Sequence, residues 1–134
     1  LLDENWRKKT AVIAPSRVSK NEEERVRQAL IAATHKNNID RLEKAIGEFE
    51  HHNLWDNGDL TRARHKLVQL HLQKLRKATL ERKLEDLDSA IDSAKKSHVV
   101  LQLIESKELI EAEATRLQLK RLKLYMHKVL ALNK

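Results

Sequence analysis

The chain has 134 residues, with 27 Lys and Arg against 20 Asp and Glu, and no cysteine. The lack of cysteine excludes disulfides, thiolate nucleophiles and cysteine-ligated zinc. Two glycines, one proline and 3% aromatic residues are typical of long helices around a narrow apolar core. We predict an all-α fold of elongated, antiparallel helical hairpins. Since the first residue is leucine, we expect a fragment of a larger intracellular protein.

Residues 1–20 are predicted to form a basic tail or docking segment. Pro15 interrupts any helix there and favours extended geometry in the residue before it. A basic run with an apolar residue at each end suits docking to an acidic protein surface or a phosphate backbone. Its candidate partner-binding residues are Trp6, Arg7, Lys8, Lys9 and Ile13. The competing interpretation is a linker that lays its tryptophan onto the helical bundle.

The rest of the chain, residues 21–134, is predicted to be a helical-hairpin bundle. Asn21 and the three glutamates after it are a helix start, and this first helix reaches about Lys36. A second helix ends near His52, before a turn. Trp55 in this turn is predicted to be an apolar plug that closes the hairpin, and the alternative is an exposed anchor for a partner.

A single long helix, shared by both hairpins, is predicted from Leu60 to about Lys96, because no Gly or Pro interrupts its apolar spacing. The spacing slips in phase near Thr79, where a kink is the alternative. Thr79 also follows Arg76-Lys77-Ala78, a loose match to the sites of basophilic kinases, and is a candidate phosphorylation site. Residues 97–106 are predicted to be a buried connection to a long final helix.

One helical pattern occurs twice in the chain: Leu-x-x-Ala-Ile, a loop of variable length, and Leu-x-x-Ala. Its positions are Leu42, Ala45, Ile46, Leu60 and Ala63, and then Leu87, Ala90, Ile91, Leu109 and Ala112. The pattern resembles the helical-hairpin repeats of large scaffold, ciliary and cytoskeleton-associated proteins. That resemblance implies helix–loop–helix units, at about residues 38–75 and 80–124, that present a surface to other proteins.

Catalytic and metal sites are not expected. Gly47 and Gly58 are the only glycines, which excludes a Gly-rich phosphate loop. His51 and His52 are adjacent, and on a helix they point about 100° apart, unlike the paired histidines of a helical zinc site. We therefore expect no enzyme activity and no cofactor.

The final helix is the strongest candidate for a function. After Glu113 it is basic and rich in leucine, with no further acidic residue. Leu117, Leu124 and Leu130 have the anchor spacing of helices that bind calmodulin-like proteins, and a basic amphipathic helix also suits an anionic membrane surface. The interpretation that we favour for the stripe itself is that it packs against the helix around residues 86–94. The candidate partner-binding residues are Arg116, Lys120, Arg121, Lys123, Leu124 and Lys128.

We expect a non-enzymatic protein-interaction or scaffold module, cytoplasmic or cytoskeletal in preference to nuclear, whose partner is an acidic or helical protein. One alternative is a helical module that binds a polyanion, either nucleic acid or an anionic membrane, and another is a calmodulin-binding regulatory segment. Basic and acidic blocks alternate along the chain, so antiparallel helices can neutralise much of the formal net charge of +7. The net charge therefore overstates the affinity for polyanions.

Overall fold

The computed structural model describes residues 20–132, and every regular element in that range is α-helical, which confirms the all-α prediction. Six helices follow one another in this part of the chain: α1 Lys20–Thr34, α2 Ile39–His51, α3 Asp59–Glu81, α4 Leu84–Lys95, α5 Val100–Leu103 and α6 Lys107–Leu132. All but the last residue of the predicted basic tail lies outside the described residues. Its candidates there are Trp6, Arg7, Lys8, Lys9 and Ile13.

The helices group into two compact units, divided after His65. The first unit contains α1, α2 and the start of α3, and the second contains the rest of α3 with α4, α5 and α6. The apolar residues of the repeated pattern are buried in these units, except Leu60, which is half-buried. Each buried Leu or Ile of that pattern stabilises its unit by about 1.5–3 kcal/mol relative to an exposed position.

In the first unit, α1 and α2 pack against each other in antiparallel orientation. Two side-chain contacts show the direction, because Arg25 lies 2.6 Å from Glu48 and the His52 imidazole lies 3.7 Å from Glu22. Asn38 is the N-cap of α2, and its side-chain oxygen accepts a 3.1 Å hydrogen bond from a backbone N–H in the first turn. This bond satisfies one of the unpaired donors at the helix start.

The loop after α2 is closed by Leu54 and Arg27, and the prediction that Trp55 is the plug is wrong. Leu54 is buried, whereas Trp55 is 79% exposed. Arg27 reaches from α1, donates a 2.7 Å hydrogen bond to the Trp55 carbonyl and lies 5.3 Å from the ring centroid of Phe49. Leu54 takes the core position, so the indole of its neighbour faces solvent.

Asp56 organises the turn that leads into α3. Its Oδ1 accepts hydrogen bonds from the backbone N–H groups of Gly58 and Leu60, at 2.8 and 3.1 Å. Its Oδ2 accepts a 2.6 Å bond from the hydroxyl of Thr61. Gly58 has a φ of +107°, which only glycine adopts readily. These contacts favour the ionised carboxylate and hold the pKa of Asp56 below its ordinary value of 3.8.

The prediction of one helix from Leu60 to about Lys96 is wrong, because α3 ends at Glu81 and α4 begins at Leu84. Arg82 lies between them with a φ of +54°, and its N–H donates a 3.0 Å hydrogen bond to the carbonyl of Ala78. This left-handed residue ends the helix in the way that glycine usually does. The phase slip in the apolar spacing is the sequence signal of this break.

In the second unit, α4 packs against α6 in antiparallel orientation. Lys95, the last residue of α4, lies 3.3 Å from Glu113, whereas Asp88 near its start lies 3.4 Å from Arg116 further along α6. The contact buries one side of each helix. Its buried residues are Leu87, Ala90, Ile91 and Ala94 on α4, and Leu109 and Ala112 on α6.

The predicted buried connection at residues 97–106 is only partly buried. Val99 and Leu103 are fully buried, whereas Leu101 and Ile104 are exposed. The short helix α5 explains this alternation, because a helix buries one side and leaves the other in solvent.

Replacing Arg82 by Gly should raise the free energy of unfolding by about 0.5–1 kcal/mol, since glycine adopts a positive φ without the steric cost of a side chain. Urea unfolding followed by circular dichroism measures this change. Arg82→Ala is the matched control, because it removes the guanidinium and keeps Cβ, and it should give no gain. Equal stability of the two variants would contradict the proposed role of the backbone at this residue.

Replacing Asp56 by Asn should lower the melting temperature at neutral pH, because the turn loses an ionised acceptor. The unfolded chain binds the Asp56 proton more readily than the folded chain, since hydrogen bonds lower the folded-state pKa. The stabilisation is therefore complete above the ordinary value of 3.8 and is lost as the pH falls below it. The difference in melting temperature between wild type and Asp56→Asn should shrink in that range.

Asp92→Asn on the exposed side of α4 is the control for this titration, and it should change the melting temperature little at any pH. If the melting temperatures of wild type and Asp56→Asn still differ by the same amount at about pH 2, ionisation of Asp56 is not the source of the difference.

Candidate interaction surface on the C-terminal helix

Helix α6 is more than twice as long as the helix it packs against. It has 26 residues, whereas α4 has 12. Asp88, one turn after the start of α4, lies 3.4 Å from Arg116 and 3.7 Å from Lys120. Because the helices are antiparallel, the start of α4 lies beside about residue 124, one turn further along α6. The last two turns of α6 therefore extend past the start of α4.

The C-terminal part of α6 exposes a series of large apolar side chains. We call residues 117–132 the α6 extension. Its exposed apolar residues are Leu117, Leu122, Leu124, Tyr125, Met126, Leu130 and Leu132. The only buried residues of α6 are Leu109 and Ala112, which precede the extension. The interpretation that Leu117, Leu124 and Leu130 pack against α4 is therefore wrong, because all three side chains are more than half exposed.

The apolar residues of the extension form two stripes on opposite sides of the helix. Stripe one contains Leu117 and Leu124, which are seven residues apart. Stripe two follows a three-and-four spacing through Leu119, Leu122, Met126 and Val129. Leu124 and Met126 are two residues apart, which places them about 200° apart around the helix. Stripe two also lines a shallow depression of about 340 Å³.

Basic residues lie beside stripe one and in one of the two gaps between the stripes. Lys123 and His127 lie in that gap, whereas Arg121 and Lys128 are each four residues after a leucine of stripe one and lie on its side of the helix. All four are exposed. Glu113 is the last acidic residue of the chain, so residues 117–132 contain no carboxylate side chain of their own. Lys120 pairs with Asp88 of α4, and the charge of the four exposed residues named above is available to a partner.

The predicted partner-binding residues of α6 divide into two groups. Arg116 and Lys120 lie next to Asp88, so they already serve the contact between α4 and α6. Arg121, Lys123, Leu124 and Lys128 are exposed. Within residues 20–132, Arg121, Lys123 and Lys128 form no ion pair with a carboxylate.

Thr79, the candidate phosphorylation site, lies in the last turn of α3. Its hydroxyl donates a 2.8 Å hydrogen bond to the carbonyl of Leu75, and the side chain is half-buried. A kinase would need this turn to open, since the hydroxyl is engaged by the helix backbone. Phosphorylation at Thr79 stays a prediction.

Exposed Trp55 is a second candidate contact residue, one that the preference for a plug missed. The sequence signal is the leucine next to it. Two adjacent loop residues rarely occupy the same core position, and here Leu54 is buried while Trp55 is exposed. A single exposed aromatic residue is a smaller surface than the α6 extension, so the extension is the primary candidate.

No side-chain cluster in the described part of the chain has the composition of a metal site, since no group of three or more His, Asp or Glu residues converges there. His52 lies against α2, with its Nδ1 2.7 Å from the Glu48 carbonyl. His71 is fully buried. Within residues 20–132, no helix combines the length and the apolar character needed to cross a membrane.

No family model, no curated protein and no solved structure matches this chain. The features of this chain that indicate a function are therefore the exposed leucines of the α6 extension and the cations among them.

The α6 extension should tolerate truncation of its side chains, whereas the covered part of the same helix should not. Leu109→Ala removes a fully buried side chain and should cost about 2–5 kcal/mol of unfolding free energy. Leu124→Ala, at a position that is 58% exposed, should change it by less than about 0.5 kcal/mol. Urea unfolding measures both. A cost above about 2 kcal/mol for Leu124→Ala would show that the extension is covered in the folded chain.

Proposed function

We propose that this chain is a non-enzymatic protein-interaction module and that it binds its partner through the α6 extension. The observation that supports this proposal is the run of seven exposed large apolar side chains in residues 117–132. Contiguous exposed apolar surface is unfavourable in water and marks an interaction site in a soluble domain. The helical frame of α4 and α6 presents this surface at its end, as expected of a scaffold module of the cytoplasm or cytoskeleton.

The apolar content of the extension favours a protein partner over nucleic acid. A surface that follows a phosphate backbone needs cations, and exposed leucines add nothing to those contacts. The aromatic residues that stack on bases are also scarce, since Tyr125 is the only aromatic residue of α6.

Much of the remaining positive charge is also engaged within the chain. Arg25 pairs with Glu22 and Glu48, and Lys95 pairs with Glu113. Arg64 likewise pairs with Glu50. The unpaired cations of α6 lie among leucines, where they flank an apolar contact.

Affinity capture with the full chain tests this function. Wild type is compared with the double variant Leu124→Asp/Met126→Asp, which puts charge into both stripes. The matched control is Leu80→Asp/Leu101→Asp, which changes two exposed leucines on α3 and α5. All captures are nuclease-treated and washed at low and at high salt, because phosphate contacts weaken steeply with salt whereas buried leucines do not.

We expect a defined set of proteins that wild type and the control variant retain at high salt and that the α6 variant loses. Two results would contradict the function. One is that the α6 variant retains the same proteins as the control. The other is that wild type retains only nucleic acid or lipid, which washes off at high salt.

A further inference from the structure

We propose that the partner of the α6 extension is an acidic protein that closes around the helix from both sides. This inference rests on the proposed function and adds the geometry and the charge of the partner to it. Three properties of the extension carry it: the two apolar stripes, the exposed cations beside them and the free end of the helix.

The two stripes require cover on opposite sides of the helix. Leu124 of stripe one is 58% exposed and Met126 of stripe two is 56% exposed, about 200° away. A flat surface, such as a bilayer or the side of a single helix, contacts one side and leaves the other stripe in water. A partner with two lobes, or with a deep cleft, buries both stripes at once.

The exposed cations of the extension specify the charge of that partner. Arg121 and Lys128 lie beside stripe one, and Lys123 lies in the neighbouring gap. Charged groups around an interface set partner choice and orientation. Carboxylates on the lobe that covers stripe one complement these cations, whereas a neutral apolar cleft leaves them unpaired.

Charge also argues against a second copy of the chain as the occupant. Pairing of two extensions, parallel or antiparallel, brings basic residues against basic residues, because no acidic residue follows Glu113. The first 19 residues are also net basic by composition. They contain Arg7, Lys8, Lys9 and Arg17 against Asp3 and Glu4. The complementary charge therefore belongs to another protein.

The free end of α6 fits an enclosing partner. Residues 124–132, from beside the start of α4 to the end of the helix, span about 12 Å at 1.5 Å per residue. Helix-in-groove complexes anchor apolar side chains at intervals along the helix, and acidic, methionine-rich clefts accept basic helices. Calcium-loaded calmodulin has this chemistry and serves as the probe.

Calorimetric titration of the full chain with calmodulin tests the chemistry of the partner. We expect binding with a Kd of about 1 µM or tighter in calcium, and no binding after the calcium is chelated. Leu124→Asp should weaken binding by about 30-fold or more, as for an interface anchor. The matched control Leu80→Asp, at an 84% exposed position of α3, should leave the affinity unchanged.

Single cysteines test whether the partner encloses the helix. The chain has no native cysteine, so Leu124→Cys, Met126→Cys and the control Leu80→Cys each report one position by their rate of maleimide labelling. With calmodulin at about ten times the Kd of each variant, labelling at both 124 and 126 should slow by about tenfold. Labelling at 80 should stay unchanged.

Several results would overturn the proposal. The first is that calmodulin does not bind at concentrations up to about 100 µM. The second is that calmodulin slows labelling at only one of positions 124 and 126. The third is that both positions are protected without calmodulin because the chain self-associates, as sedimentation would show. Protection of both by phosphatidylcholine–phosphatidylserine vesicles without calmodulin would also overturn it. The affinity capture tests the proposed function separately. If only the enclosing acidic partner is wrong, wild type still captures proteins that Leu124→Asp/Met126→Asp does not.

Discussion

The antiparallel contact between α4 and α6 is the constraint on which the candidate surface depends. It buries Leu87 and Ile91 against Leu109, and it is oriented by ion pairs from both ends of α4. Because Arg82 ends α3, α4 is a separate helix of only 12 residues. The length of α4 determines how much of α6 is covered. The apolar surface of the extension is therefore a consequence of a backbone break two helices earlier in the chain.

The helical class and the core positions could be predicted because they depend on local spacing. Buried residues such as Leu42 and Leu87 repeat with the helical period, and this period is visible without knowledge of neighbours. The break at Arg82 could not be placed from the sequence, because arginine is a common helix residue and gives no signal of a left-handed backbone. The exposure of Trp55 and of the α6 extension also depends on which neighbours exist, and sequence periodicity carries no such information.

The pairing of charges explains how a basic chain can have a specific surface. Acidic and basic blocks meet across the helices at Arg25–Glu48, Lys95–Glu113 and Arg116–Asp88. Such exposed pairs contribute at most about 1 kcal/mol each, so their main effect is to orient the helices. The unpaired cations of α6 are thereby concentrated in the same two-sided segment as the exposed leucines. The candidate site combines both features, and neither net charge nor leucine content alone identifies it.

Hydrogen exchange along α6 in the free chain tests the central claim most directly, because it reports how far the helix is covered. We expect strong protection of the backbone amides around Leu109 and Ala112, which pack on α4. After Lys120 the protection should decrease and become weak towards Leu132. Uniform strong protection to Leu132 would contradict the claim, since the extension would then be packed within the folded chain rather than available to a partner.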